Sequence, residues 1–204
     1  MPELRHPHTS APDRGPITAS SASSSEHAEA PLRELELRRH TMRVMPGQHL
    51  SQAGVELARR VGSTMGRFDR VVTSTIPRAF ETAIAMGFAV DEQREEFGLM
   101  PDEVAREIDW QGGCAALQHA ARAGGVTARY VAEQGRVLRE IAQALPVGGR
   151  ALVISHGGIV EAGAVGCLPD YDFSAWTESA SYCEGIRLRF DGHCFIDAAP
   201  LRLG

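Results

Sequence analysis

Two histidines in this sequence follow segments that are typical of β-strands. His40 follows a short segment in which apolar and polar residues alternate, and His156 follows residues 150–155, which are predicted to form a buried strand. Arg39 and Arg43 flank His40, and their charges disfavour imidazolium and favour a neutral, nucleophilic imidazole. Guanidinium groups also match the oxygens of a phosphate. Solvated surface charge is the alternative for both arginines, and it is weaker for Arg39, which directly follows the strand. This set favours attack of an imidazole on a phosphoryl group.

Arg78 and Gly157 lie at two further places suited to an anion. Arg78 falls in the first turn of the helix after strand 70–73, where a cation opposes the helix dipole unless an anion is bound there. Pairing of Arg78 with Glu81 is the alternative. Gly157 follows His156, and a glycine at a helix start lets backbone N–H groups approach an anion closely. A structural histidine in a tight turn is the alternative for His156.

The elements that must position these residues alternate between strands and helices. Ser51 and Thr127 are predicted to cap two of the helices. Such alternation predicts an α/β fold, a three-layer α/β/α sandwich with a mainly parallel central sheet. Ligands bind such sheets at the carboxyl ends of the strands, so the segments above are expected to meet at one edge. The predicted strands are 35–39, 70–73, 88–90, 150–155 and 184–190, and the predicted helices end near 65, 86, 123, 145 and 166.

Composition excludes several other functional classes. All 21 basic residues are arginines, which excludes mechanisms that need a P-loop or Schiff-base lysine. The net charge of −5 argues against a nucleic-acid partner. No apolar run is long enough for a membrane helix, and no apolar signal-peptide segment follows the start. We therefore expect a cytoplasmic protein that acts on a small phosphorylated substrate, with neither nucleic acid nor membrane as partner.

The chain is expected to divide into a tail and one domain. Residues 1–33 are expected to form a disordered Ser/Pro-rich tail, because they contain no aromatic residue and little apolar surface. Residues 34–204 form the domain, in which the irregular segment 91–125 is predicted to be a variable cap. No spacing of histidines and carboxylates indicates a metal site, and a zinc hydrolase built on His40 and His49 lacks further ligands.

Four segments, in order along the chain, resemble signature motifs of the histidine phosphatase (phosphoglycerate mutase-like) superfamily. They cover nearly all of the predicted domain, and the resemblance implies the phosphoglycerate mutase-like α/β fold. Residues 37–40 resemble its R-H strand end, and residues 50–58 its L-T-x-x-G-x-x-Q-A helix entry. Residues 71–83 resemble its S-S-x-x-x-R-A-x-x-T-A segment, and residues 153–158 its second-histidine motif.

The resemblance implies a role for each matching residue. His40 would be the nucleophile that becomes phosphohistidine, and His156 would steady the transferring group. Arg39 and Arg78 would bind the phosphoryl oxygens together with the turn at Gly157. Arg43 matches the second arginine of an R-H-G-x-R pattern found in the acid phosphatase branch, and is assigned to phosphate binding as well.

Two positions depart from the family pattern. Thr41 stands where the family usually has glycine after the histidine, so the loop over the phosphate is expected to differ. The family's general acid lies after the R-A-x-x-T-A helix, and Glu95 is the predicted match. Glu96, Asp102 and Glu103 remain alternatives for that acid.

The function that follows from the resemblance is a metal-independent phosphomonoester hydrolase without a cofactor. A phosphomutase on the same scaffold is the first alternative, and the short segment 91–125 favours hydrolysis over it. A non-catalytic member that binds a phosphate ligand or a protein is the second alternative. The identity of the substrate and the oligomeric state do not follow from the sequence.

Overall fold

The computed structural model describes residues 32–204 and shows one mixed β-sheet. The tail predicted over 1–33 lies outside the described residues except for its last two. In the described part the sheet has six strands in the order β3-β2-β4-β1-β5-β6. Strands β1 to β4 run parallel to one another, β5 pairs antiparallel with β1, and β6 pairs antiparallel with β5. The strands are β1 (Arg33–Arg39), β2 (Arg70–Ser74), β3 (Glu92–Arg94), β4 (Arg150–Ser155), β5 (Gly185–Phe190) and β6 (Phe195–Leu201).

Helices cover both faces of this sheet, which confirms the predicted α/β/α sandwich. Alternate residues of β4 point into opposite cores. Val153 packs in the larger core with the later helices, and Ile154 packs in the smaller core with the first two. None of the described helices is both long and apolar enough to cross a membrane. The helices are α1 (Gln52–Gly62), α2 (Pro77–Met86), α3 (Asp102–Glu107), α4 (Gly113–Arg122), α5 (Gly125–Ala144) and α6 (Ile159–Cys167).

Helix α6, which begins just after His156, is held in place by direct backbone contact with α5. A Cβ atom at Gly135 would lie 2.3 Å from the carbonyl oxygen of Gly166, and one at Gly166 would lie 2.1 Å from the Val131 carbonyl. Only glycine permits this approach without displacing one of the helices. The packing of these two helices therefore fixes where the second histidine motif sits.

The third strand was predicted at the wrong residues. Gly87, with φ 95°, ends α2, and the Phe88 N–H bonds back to the carbonyl of Ala83. Phe88 then packs edge-on against Phe68 rather than entering the sheet. The chain reaches the sheet only at Asp91, so that β3 starts at Glu92.

Three further elements differ from the expectation. Helix α3 was not predicted, because it lies in the segment 91–125 that was expected to be irregular. Strand β6 was not predicted, because Pro200 lies inside it; the edge of the sheet tolerates this proline. Thr127 does not cap α5, which starts two residues earlier; its N–H and hydroxyl instead donate to the Glu107 carboxylate. The predicted cap of α1 is confirmed, since the Gly54 N–H donates to Ser51 Oγ at 3.1 Å.

Candidate active site

Strand register brings the two histidines side by side. β1 pairs in parallel with β4 so that Arg39 lies opposite Ser155, and the next residue on each strand is a histidine. The His40 N–H donates to the Ser155 carbonyl at 2.8 Å. The ring centroids of His40 and His156 are 5.0 Å apart, and both residues are buried. Both histidines therefore lie at the carboxyl edge of the sheet, where open α/β sheets bind their ligands.

Hydrogen bonds define which nitrogen of each ring carries the proton. His40 Nδ1 lies 2.6 Å from the Thr41 carbonyl oxygen, which only accepts, so Nδ1 is protonated and donates. His40 Nε2 and His156 Nδ1 both accept from Nε of Arg78, at 3.0 and 3.2 Å. The proton of His156 is consequently on Nε2 and donates to Ser74 Oγ at 2.8 Å. The electron pairs of both rings thus converge on Arg78.

Burial and neighbouring cations keep both imidazoles uncharged. Burial lowers the pKa of His40 to about 4, and Arg78, Arg39 and Arg43 add to this effect against the opposing bond to Thr41. Burial lowers the pKa of His156 to about 3, with Arg78 as the next largest cause. Near neutral pH His40 therefore presents an unprotonated Nε2, the form in which imidazole acts as a nucleophile.

These depressed pKa values predict a pH dependence of stability. In the unfolded chain His40 takes up its proton near pH 6.5, but in the folded protein only near pH 4. The unfolded state binds more protons between these values, so the free energy of unfolding falls as the pH drops from 6.5 to 4. His40 alone accounts for about 3 kcal/mol of this loss. Urea denaturation across this range measures it, and His40→Ala is expected to show a shallower slope. Equal slopes would contradict the prediction.

Arg78 lies at the start of α2 among other cations. Pro77 occupies the first helical position, and no side chain caps the helix. Nη1 of Arg78 donates to Gln48 Oε1. Burial and the charges of Arg43 and Arg39 lower the pKa of Arg78, which shows three cations sharing one space. Pairing with Glu81, the alternative from the sequence, does not occur: that carboxylate accepts from His49 and the Leu50 N–H.

Arg39 is oriented by backbone and by an aromatic ring. Its Nη1 donates to the Ala180 carbonyl at 3.0 Å, and its Cζ lies 4.7 Å from the centroid of the Tyr182 ring. A Cβ at Gly157 would lie 3.2 Å from that Cζ, so glycine leaves room for the guanidinium group. Arg39 Nε is buried and, within the described chain, has no hydrogen-bond partner. A buried donor without a partner is costly, and a bound anion would satisfy it.

An open cavity of about 580 Å³ joins these groups. Arg43 lines it from the loop after β1, with Nη1 donating to the carbonyls of Pro46 and Gly47. The segment 91–125 reaches the cavity through Trp110, which lies so close to Gly158 that a Cβ there would be 2.6 Å from the indole. The lining residues are Arg39, His40, Arg43, Met45, Arg78, Trp110, His156, Gly157, Gly158, Ser179 and Tyr182.

The structure does not bring the expected general acid into this cavity. Glu95 and Glu96 are exposed in a 3-10 turn, and Asp102 and Glu103 are exposed in the first turn of α3. Among residues 32–204, no carboxylate side chain lines the cavity, and no group of three metal-ligating side chains is assembled. The assignment of Glu95 as the acid stays a prediction.

Thr41 links the histidine loop to the helices behind it. Its N–H donates to Thr82 Oγ1 at 3.1 Å and its hydroxyl to the Gly54 carbonyl at 3.0 Å. The Thr82 hydroxyl in turn donates to the carbonyl of Arg78. Thr41 is fully buried and does not line the cavity, so its Cβ and hydroxyl are accommodated without occupying the space for a phosphate.

Glu161 is a site residue that sequence reasoning missed. It is buried in the first turn of α6, where its carboxylate accepts the N–H of Gly158 and the N–H of Ala180, both at 2.7 Å. Ala180 holds Arg39 through its carbonyl, so this carboxylate connects the second histidine loop to a predicted phosphate-binding arginine. Glu161 supplies one half of a capping box by accepting the Gly158 N–H, and glycine has no side chain to supply the other half. A glutamate three residues after Gly158 was the available signal.

Glu161→Gln is expected to weaken phosphate binding, because the amide turns one N–H donor toward a backbone N–H. Losing one such bond to a charged acceptor costs about 2 kcal/mol, or roughly thirtyfold in an equilibrium constant. We expect the inhibition constant for inorganic phosphate to rise about tenfold or more as Arg39 shifts. Glu133→Gln, on the exposed side of α5, is the matched control. An unchanged inhibition constant in a destabilised Glu161→Gln protein would limit Glu161 to a structural role.

Residues 27–196 match the family model of the histidine phosphatase superfamily, branch 1. Because this match spans most of the chain, the protein belongs to that superfamily. No curated protein sequence matches the chain significantly.

Solved structures with the same fold include enzymes of more than one activity. A phosphoserine phosphatase from Entamoeba histolytica, in complex with 3-phosphoglyceric acid, aligns with a TM-score of 0.60 and 15% identity over 84% of this chain and 98% of its own. A phosphoglycerate mutase from Bacillus anthracis aligns with a TM-score of 0.58 and 16% identity over 82% and 92%. A mycobacterial glucosyl-3-phosphoglycerate phosphatase aligns with a TM-score of 0.53 and 16% identity over 83% and 97%. At these identities the likeness shows the fold.

Proposed function

We propose that this protein is a metal-independent phosphomonoester hydrolase that works through a phosphohistidine on His40. The observation that carries the proposal is the unprotonated Nε2 of a buried histidine in a cavity lined by three arginines. Guanidinium groups neutralise the charge of a phosphoryl group without a metal ion. Membership of a superfamily of phosphatases and mutases supports this reaction type.

In the first step His40 Nε2 attacks phosphorus in line with the leaving oxygen. Arg39 and Arg78 bind the phosphoryl oxygens, and the Arg78 Nε–H that now bonds both histidines moves to the substrate. Arg43 and the backbone at Gly157 complete the set of donors. In the loose transition state of phosphoryl transfer, such positioning and charge stabilisation supply most of the catalysis.

In the second step water attacks the phosphorus and the bond to Nε2 breaks. The proton stays on His40 Nδ1 throughout and remains hydrogen-bonded to the Thr41 carbonyl, which holds the ring in one orientation for both steps. His156, held by Ser74, lies beside the transferring group and contributes a second imidazole to the wall.

Release of inorganic phosphate from p-nitrophenyl phosphate and a panel of phosphomonoesters, with chelator present, tests the proposed function. We expect turnover that the chelator does not reduce, because arginines carry the positive charge. An isomerised product without free phosphate would identify a phosphomutase instead. Folded protein that binds phosphate and releases none from any substrate would identify a non-catalytic binding protein.

A further inference from the structure

The wall of the active-site cavity is cationic. Arg39, Arg43 and Arg78 contribute three positive charges, and the two imidazoles add none near neutral pH. The remaining lining residues, Ser179 and Tyr182 among them, are uncharged, so within residues 32–204 no carboxylate lines the cavity. The cavity therefore offers three cations and no carboxylate to a bound phosphoryl group.

The carboxylates next to the cavity are occupied by other donors. Glu161, behind the turn at Gly158, accepts two backbone N–H groups, one with each oxygen. Glu81, one turn along α2 from Arg78, accepts the Leu50 N–H with one oxygen and pairs with His49 through the other. Since these oxygens act as acceptors outside the cavity, neither carboxylate presents a proton to a leaving group.

The histidine nitrogens that face the cavity are acceptors as well. His40 Nε2 and His156 Nδ1 accept from the same N–H of Arg78. The ring protons are on the nitrogens that face away from the cavity. His40 Nδ1 donates to the Thr41 carbonyl, and His156 Nε2 donates to Ser74 Oγ. Neither imidazole thus holds a proton on the side where the leaving oxygen departs.

We propose, building on the phosphohistidine mechanism above and replacing alkyl phosphomonoesters as its substrates, that the substrates are phosphoryl donors whose leaving oxygen departs as an anion, as in an acyl phosphate. An alkoxide is too basic to depart without a proton donor, whereas a carboxylate, with a pKa near 4, needs none. The phosphorylated ring keeps its Nδ1 proton and becomes cationic, so the net charge of substrate and His40 stays at that of the dianionic donor while negative charge moves to the departing carboxylate. Phosphoanhydrides share this leaving-group chemistry.

The reaction balances without an acid. The His40 Nε2–P bond forms as the P–O bond breaks, and the electron pair of that bond stays on the departing carboxylate oxygen. Water then adds across the N–P bond, giving dihydrogen phosphate and restoring the Nε2 electron pair. No proton has to reach the leaving group in either step.

The dependence of kcat/KM on leaving-group pKa tests this inference. The probes are acetyl phosphate, pyrophosphate, aryl phosphates with phenols of graded acidity, and glycerol 3-phosphate, each corrected for the rate with His40→Ala. We expect kcat/KM of the aryl series to fall about tenfold per pKa unit, because charge on the leaving oxygen is not neutralised by a proton. The kcat/KM for acetyl phosphate is expected to exceed that for glycerol 3-phosphate by about 10⁴-fold or more. If pyrophosphate has a higher kcat/KM than acetyl phosphate, the substrates are phosphoanhydrides rather than acyl phosphates.

The result that would overturn the inference is a flat aryl series, with less than about a twofold change per pKa unit. In that case Glu95→Gln and Tyr182→Phe identify the proton donor. Removal of the true donor makes kcat/KM depend steeply on leaving-group pKa. If the inference is correct, kcat/KM falls steeply with leaving-group pKa in the wild type, and the slope is the same in Glu95→Gln. Labelling of His40 by each donor is scored separately. Labelled protein with a flat series overturns this inference alone, whereas protein that no donor labels overturns the proposed function with it.

Discussion

His40→Ala is expected to abolish both phosphate release and formation of a phosphoenzyme. The variant lacks Nε2 of His40, which is unprotonated and belongs to a ring that the bond from Nδ1 to the Thr41 carbonyl holds in one orientation. Removal of a catalytic nucleophile lowers kcat by about 10⁴- to 10⁶-fold. Stopped assays with a labelled phosphoryl donor measure the loss, and the label on wild-type protein is expected to be acid-labile and alkali-stable, as a phosphoramidate is.

His119→Ala is the matched control for this experiment. His119 is exposed on α4 and lines a different cavity, so its removal is expected to leave turnover and labelling unchanged. His40→Ala protein that folds and keeps its turnover would refute the mechanism. Restoration of turnover by free imidazole, which fits the space left by the ring, would support it independently.

Arg78→Ala is expected to have the second largest effect. One N–H of this arginine holds both histidines, and its charge adds to the lowering of both their pKa values. An arginine that stabilises a phosphoryl transition state contributes about 10³- to 10⁵-fold in kcat, and a loss of this size is expected. Removing the cation also raises the pKa of His40 and of His156, because imidazolium no longer meets its repulsion. NMR titration of the two ring resonances measures this shift.

Two further variants make the result specific. Arg78→Lys keeps a charge but not the shared Nε–H, so it is expected to retain part of the pKa effect and to lose most of the turnover. Arg136→Ala removes an exposed arginine that pairs with Glu133 and Glu140 on α5, and is expected to change neither quantity. Histidine pKa values that stay the same in Arg78→Ala would contradict the electrostatic account of the site.

Local signals were sufficient for the elements that carry the predicted phosphate-binding chemistry. β1, β2 and β4 were placed within about two residues, because each is a short apolar or β-branched run bounded by turn residues. Each of the residues predicted from these strand ends, apart from the acid, lines the same cavity. Parallel strands end at a common edge, so a local prediction of strand ends was enough to bring His40, Arg78 and His156 together.

Local signals failed where the outcome depended on partners far along the chain. β3 was displaced because Phe88 packs against Phe68, and the strand begins only where the Val71 N–H meets the Asp91 carboxylate. β6 was missed because a strand with an internal proline is acceptable only at a sheet edge, and sheet order is not visible in the sequence. Sequence also placed the cap of α5 on Thr127, whereas the capping carboxylate comes from α3.

Residue types and spacing within single elements were enough to predict the fold class, the superfamily and the edge of the sheet that carries the chemistry. Three features follow from the packing of distant elements and could not be predicted: the free nitrogen of His40, the bridge from Arg78 to two histidines 116 residues apart, and the support of Arg39 by Glu161. The tertiary structure also places Glu95 outside the cavity lining. The physical reason is that a side chain's direction and hydrogen-bond partners are set by packing between distant elements, whereas strand and helix patterns are set within them.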